Sequence, residues 1–158
     1  MKRSMGLIWV GFFLALLLEM LPFPGWTLWL RPDWAFLLLI TLAWLLPEKV
    51  GVGYALIIGL LLDLINGTPL GEHAIAMLPV VYLVIKFHRQ LIMFPRMQQM
   101  LLVLAFVLVY KLILFVLQTM FAQEPVHILY WVAALIDMVL WPWLFMLLED
   151  LRQRYFAD

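Results

Sequence analysis

Apolar residues run along this chain in six segments, at 5–21, 34–46, 51–65, 74–87, 100–121 and 128–148. Polar residues, prolines and glycines separate them. A helix needs about 20 residues to cross the roughly 30 Å hydrocarbon core of a bilayer, and only the fifth and sixth segments reach that length. The second segment has 13 residues, so by length alone it could also be a re-entrant or interfacial helix. The pattern predicts an all-α membrane protein, and charge must decide how many segments cross.

The distribution of basic residues favours six crossings. If all six segments cross from a cytoplasmic N-terminus, Arg31 is the one basic residue of the loops and termini on the outer side. The basic residues on the cytoplasmic side are then Lys2, Arg3, Lys49, Lys86, Arg89, Arg96, Arg152 and Arg154. Such a bias satisfies the positive-inside rule. We therefore predict a polytopic bundle of six transmembrane helices with both termini cytoplasmic. The basic inner loop at 88–99 is then the better candidate for contacting a cytoplasmic partner or an anionic lipid head group.

The composition predicts that the membrane bundle accounts for the whole given chain. Of its 158 residues, 67% are hydrophobic and 13% are charged, which leaves no stretch for a soluble domain with its own core. We predict a single integral membrane domain over residues 1–158, with the first segment retained rather than cleaved as a signal peptide. Lys plus Arg equal Asp plus Glu at ten each, so net charge gives no reason to expect nucleic acid as a partner.

Aromatic residues gather near the ends of the predicted spans, where tryptophan and tyrosine commonly anchor helices at the membrane interface. We assign that anchoring role to Trp26, Trp29, Trp34, Tyr130, Trp131, Trp141 and Trp143.

Charged residues inside the spans are the first candidates for a functional site, because a charge in the hydrocarbon region is costly. Asp63, Lys111 and Asp137 each lie roughly 17–18 Å from the cytoplasmic side at 1.5 Å of rise per residue, so we expect them to meet. The cluster either orients the third, fifth and sixth helices or forms part of a proton or substrate path, to which Gln118 could belong. Glu19 lies nearer the outer interface, where we expect it to reach head groups or Arg31.

The third span carries small residues on the face that ends in a carboxylate. Ala55, Gly59 and Asp63 recur every four residues and therefore share one side of the helix. Such a face permits close approach of a neighbouring helix, which is either another helix of the bundle or a helix of a partner protein.

Residues for catalysis and metal binding are scarce. Ser4 is the single serine and there is no cysteine, so a serine or cysteine nucleophile inside the membrane is excluded. Two Glu–His pairs lie in outer loops, Glu72 with His73 and Glu124 with His127, without the local spacing of a metal motif. We expect them to be solvated, and we expect no enzyme activity, no metal and no cofactor.

Four short motifs in order resemble the MreD family of Gram-negative rods. They are RPDW at 31–34, GLLLDL at 59–64, GTPLG at 67–71 and VLWPWL at 139–144, followed by a basic tail. The resemblance implies a multi-pass protein of the bacterial inner membrane that scaffolds cell elongation. It implies MreC as direct partner and, through MreC, MreB, RodZ, RodA and a class B penicillin-binding transpeptidase. It also implies a fold similar to the substrate-binding subunits of energy-coupling-factor transporters, and so a pocket between helices.

On this interpretation Arg31, Asp33 and Trp34 shape the outer surface near MreC, while Asp63, Lys111 and Asp137 hold the bundle together. Gly71 closes the GTPLG motif and joins these residues as a bundle-organising position. The main alternative function is a small-solute transporter or its substrate-binding subunit, which predicts a hydrated cavity lined by the mid-depth charges. A membrane-embedded enzyme acting on lipid-linked precursors would need an acidic base, and no paired carboxylate motif supports one.

Overall fold

A computed structural model describes residues 2–21, 32–121 and 128–155. Within these ranges the chain is all-helical: α1 (Lys2–Glu19), α2 (Trp34–Leu45), α3 (Val52–Asn66), α4 (Glu72–Lys86), α5 (His88–Met93), α6 (Arg96–Met120) and α7 (Ile128–Tyr155). Six of them match the six apolar segments. The seventh, α5, lies in the stretch that the sequence predicted as an inner loop, and α6 begins earlier than predicted, at Arg96.

Two of these helices are long and apolar enough to cross a bilayer alone, namely Arg96–Met120 and the Tyr130–Tyr155 part of α7. The stretches Met5–Glu19, Trp34–Leu45 and Val52–Asn66 are shorter apolar helices. With 12 residues, α2 rises only about 18 Å. The bundle therefore contains helices of unequal length, and the short helices begin or end beside the middle of the long ones.

The short helix α2 forms the centre of the bundle. Every residue from Ala35 to Leu45 is buried, and α1, α3, α4, α5 and α7 all pack around it. A helix that is apolar on all sides can be buried on all sides, which explains why α2 has no polar face. Around it, α3 packs on α4, α4 on α6, and α6 on α7.

Two tryptophans join α2 to α7 in the interior. Trp44 and Trp141 are both fully buried, with ring centroids 5.2 Å apart, and Phe145 lies 4.9 Å from Trp141. The prediction that Trp141 is an interfacial anchor is therefore wrong, because its ring fills the space between the two helices. Trp143, two residues later, is 72% exposed and faces away from the bundle.

A side-chain contact holds α5 against the start of α6. The Gln99 amide Nε2 donates a hydrogen bond to the Leu91 carbonyl oxygen at 2.9 Å, and both residues are buried. The break between the helices at 94–95 contains Pro95, whose ring cannot continue a helix from the preceding turn.

Candidate functional site

Buried and half-buried polar side chains concentrate toward one end of the bundle, where α1 and α3 end and α2 and α4 begin. We call this group the polar layer: Glu19, Asp33, Asp63, Glu72, His73, Lys111, Gln118, Tyr130 and Asp137. Lys111 lies nine residues before the last residue of α6, and Asp137 nine residues after the first residue of α7. Nine residues correspond to about 14 Å of helical rise, so the layer lies well inside the ends of the two long helices.

An ion pair between α6 and the start of α2 is the centre of the layer. Lys111 Nζ lies 3.0 Å from Asp33 Oδ2, and the Lys111 side chain is 2% exposed. The Asp33 amide donates a hydrogen bond to Asp137 Oδ1 at 3.0 Å, which brings both acidic residues into one cluster with Lys111. One ammonium cannot balance two carboxylates, so a proton shared by Asp33 and Asp137 would bring this cluster to neutrality.

Tyr130 completes the surroundings of the buried ammonium. The Lys111 Nζ atom lies 4.3 Å from the centre of the Tyr130 ring, an arrangement in which the ring attracts the cation. The Tyr130 hydroxyl donates a hydrogen bond to the Lys111 carbonyl oxygen at 3.2 Å. The first turns of α7 therefore hold both the side chain and the backbone of Lys111.

These contacts correct the predicted partners of Lys111. From the sequence we expected Lys111 between Asp63 and Asp137, and we assigned Asp33 to the outer surface. Asp33 is the ion-pair partner instead, at the N-terminal end of α2, and Asp137 is in the same cluster as expected. The RPDW motif was the available signal, because it places an acid directly before an apolar helix start.

Asp63 organises the turn between α3 and α4. Its Oδ1 accepts hydrogen bonds from the Thr68 hydroxyl at 2.9 Å and the His73 amide at 3.1 Å, and its Oδ2 accepts one from the Gly71 amide at 2.7 Å. The His73 ring adds a fourth contact, with Nδ1 2.6 Å from Oδ1. Helix starts leave backbone donors without intrahelical partners, and here the last turn of α3 satisfies those of α4.

The glycines of the GTPLG motif make this turn possible. Gly67 has φ 70° and Gly71 has φ 98°, in the left-handed region that side chains disfavour. The chain can therefore reverse within a few residues and bring the α4 start back over the Asp63 carboxylate. Gly71, predicted as a bundle-organising position, lies in this turn directly before α4.

Glu72 and His73 are not the solvated loop residues that the sequence predicted. Both belong to the first turn of α4, and they are 2% and 9% exposed. The Gln118 amide donates a hydrogen bond to Glu72 Oε1 at 3.1 Å, which connects α4 to α6. Their burial follows from the Asp63 turn, which folds the start of α4 into the bundle.

Glu19 has a similar role at the end of α1. It is 7% exposed, and its Oε1 accepts a hydrogen bond from the Ala35 amide at 2.9 Å, at the start of α2. Glu19 is therefore buried rather than open to head groups, and the other expected partner, Arg31, lies outside the described residues. A carboxylate is well placed at a helix start because the backbone dipoles there favour negative charge.

The small-residue face of α3 packs within the bundle. A methyl group added at Gly59 would lie 2.5 Å from the Ala74 backbone, so α3 and α4 cross with no room for a side chain. Ala55 and Asp63 on the same face are fully buried. Of the two alternatives for this face, the structure selects internal packing, and a partner helix cannot use it.

Some predicted residues lie outside the described ranges. These are Arg31, Trp26, Trp29, Glu124 and His127. In the part of the chain that the structure does describe, no three potential metal ligands cluster. Trp34, the other outer residue of the RPDW motif, begins α2 and is partly buried.

Comparison with known proteins gives one consistent family. The family model for the rod shape-determining protein MreD matches residues 2–151. The chain is also 32% identical over 143 residues to a protein of Haemophilus influenzae named rod shape-determining protein MreD, covering 90% of this chain and 88% of that protein. No solved structure matches.

Proposed function

The chain belongs to the MreD family of rod shape-determining proteins, and from this we propose that it is a non-catalytic subunit of the cell-elongation complex. Membership assigns it a role in cell shape and in the rod-shape machinery. The finer proposal is that it scaffolds MreC and, through MreC, the peptidoglycan synthases of the side wall. MreB, RodZ, RodA and a class B penicillin-binding transpeptidase are then indirect partners.

The observation that carries the scaffold proposal is how the buried charges are used. Lys111 pairs with Asp33, the Asp33 amide binds Asp137, and Asp63 accepts hydrogen bonds from the start of α4. Each contact joins two helices, so the polar layer consolidates a fixed arrangement of the bundle. A transport path would instead need polar groups directed toward a continuous hydrated route.

We also propose that the six longer helices all cross the inner membrane, with both termini cytoplasmic and residues 1–158 forming a single membrane domain. Leu45, Arg96 and Arg152 line one cavity, which groups the end of α2, the start of α6 and the end of α7 at one end of the bundle. The polar layer lies toward the other end. The end that contains Arg96 and Arg152 is rich in basic residues, which supports its placement on the cytoplasmic side.

Cysteine labelling tests this topology directly, since the chain has no cysteine of its own. Leu70 and Met93 are 68% and 86% exposed and lie toward opposite ends of the bundle. We expect a membrane-impermeant thiol reagent applied to intact inner-membrane spheroplasts to label Leu70→Cys but not Met93→Cys. In permeabilised spheroplasts both should react. Labelling of Met93→Cys from outside would contradict the topology.

Affinity purification tests the scaffold function. The tagged chain, solubilised from inner membranes in a mild detergent, should retain MreC and the side-wall synthases, identified by mass spectrometry. An unrelated tagged inner-membrane protein of similar size serves as the control. Retention of an ATPase module or a stoichiometric metabolite in the absence of MreC would favour the transporter alternative and refute the scaffold.

A further inference from the structure

Two cavities adjoin at the end of the bundle opposite the polar layer. The first, which we call the arginine pocket, has a volume of about 440 Å³, and its lining includes Leu45, Phe94, Arg96, Phe145, Glu149 and Arg152. The second, the apolar cleft, has a volume of about 170 Å³ between α1, α2 and α7, and its lining includes Leu7, Gly11, Leu14, Leu42 and Leu148. Leu45 and Arg152 line both cavities, so a polar space continues into an apolar one.

The arginine pocket carries cations with free hydrogen-bonding capacity. The Arg96 guanidinium lies 4.6 Å from the centre of the Phe145 ring, and in the described part of the chain it forms no ion pair. Stacking on an aromatic ring leaves the N–H edge of a guanidinium open to an anion. Arg152 is paired with Glu149 through one Nη at 2.6 Å, and a guanidinium has further N–H donors beyond that pair.

The net charge of the pocket defines the class of anion. Its charged lining residues are Arg96, Arg152 and Glu149, which leave one positive charge. A phosphodiester carries one negative charge and oxygens that accept from both arginines. Nearby Asp150 lies 3.2 Å from Arg154 and is therefore paired outside this set.

We propose that the two cavities together bind one phospholipid, with its phosphodiester in the arginine pocket and an acyl chain in the apolar cleft. Basic pockets between membrane helices are suited to anionic head groups, and the leucine-lined cleft offers an acyl chain a concave surface for van der Waals contact. The proposal rests on the membrane embedding proposed above. Lipid binding and the scaffold function can be tested separately, because co-purification of MreC measures the scaffold and lipid binding by Arg96 variants measures the pocket.

Native mass spectrometry of the detergent-purified chain tests the head-group contact. Titration with phosphatidylglycerol should show one retained lipid per chain, and zwitterionic phosphatidylcholine should bind more weakly. Arg96→Gln should weaken phosphatidylglycerol binding about five-fold, the effect of one basic side chain near an anionic group. Arg154→Gln is the matched control, because Arg154 is 69% exposed, is paired with Asp150 and does not line the pocket. Equal binding by wild type and Arg96→Gln would overturn the proposal.

A second pair of variants tests the acyl-chain contact. Gly11 lines the cleft, and a Cβ there meets only Leu38 Cδ2, at 3.6 Å, so the side chain of Gly11→Leu starts in the cleft without a backbone clash at Cβ. We expect it to reduce lipid retention, whereas Gly6→Leu on the same helix should not, because nothing lies within 4 Å of a Cβ at Gly6. Inorganic phosphate is the remaining probe. If it displaces phosphatidylglycerol at equal concentration and Gly11→Leu has no effect, the pocket binds a soluble anion and the lipid proposal is refuted.

Discussion

Replacing Lys111 with methionine should destabilise the bundle strongly, because the substitution leaves Asp33, and Asp137 bound to its amide, without a cation. The Lys111 side chain is 2% exposed and that of Asp33 is 24% exposed. Removing one partner of a buried ion pair costs about 3–5 kcal/mol. Because a quarter of Asp33 remains accessible, we expect the lower end of this range, about 3 kcal/mol.

The loss can be measured as the free energy of unfolding in mixed micelles, with the fluorescence of the eight tryptophans as the signal. Lys86→Met is the matched control, since Lys86 is exposed at the end of α4. We expect the control to change the free energy of unfolding by less than about 0.5 kcal/mol. Methionine is nearly as long as lysine and keeps the packing volume, so the difference between the two variants reports the charge.

A double-mutant cycle with Asp33→Asn identifies the partner. Asparagine keeps the backbone amide that binds Asp137 and removes the carboxyl that pairs with Lys111. The double variant should therefore be more stable than the sum of the two single effects by at least about 1 kcal/mol. If the effects of Lys111→Met and Asp33→Asn add to within about 0.5 kcal/mol, the two residues do not interact and the assignment of the ion pair is refuted.

Three further substitutions test the packing around the site. Asp63→Leu leaves the donors at the start of α4 unsatisfied, at about 1–3 kcal/mol for each. It should lower both the free energy of unfolding and the amount of co-purified MreC, with a smaller effect for Asp63→Asn; unchanged values would contradict its role in the turn. Gly59→Ala should cost about 1–3 kcal/mol by overpacking, whereas Gly53→Ala, where a Cβ meets nothing within 4 Å, should be neutral or stabilising in the same assay. Trp141→Ala should lower the free energy of unfolding by about 3–5 kcal/mol, and a similar loss for the exposed Trp143→Ala would refute the distinction between them.

The polar layer explains why a protein with few charges keeps several of them away from water. Short helices such as α2 and α4 begin inside the bundle, and their first amides need acceptors that lipid does not provide. Glu19, Asp63 and Asp137 supply those acceptors from neighbouring helices. The buried acids therefore cap the N-termini of helices to which they do not belong. Lys111 offsets part of the negative charge that these acids bring into the bundle.

Much of the architecture could be predicted from the order of apolar and polar residues. Six of the seven described helices match the apolar segments, because long apolar runs must be helical to satisfy their backbone in lipid. The spacing of Ala55, Gly59 and Asp63 predicted a close helix contact for a related reason, since a four-residue repeat always shares one face. Which residues share one face of a helix depends only on their spacing, so it can be read from the sequence.

The identity of the contacts was decided only by the tertiary structure. Counting residues placed Lys111 and Asp137 at one depth, and both contact Asp33, yet the count could not say that Asp33 rather than Asp63 lies beside the ammonium. Depth along the bundle axis follows from counting residues, whereas lateral position depends on which helices neighbour each other and how each is rotated. For the same reason the sequence could not show that Trp141 faces α2 or that His73 folds under Asp63. The sequence by itself determined an all-helical, membrane-type chain and the faces of its helices, while packing around the central α2 determined which of those faces meet.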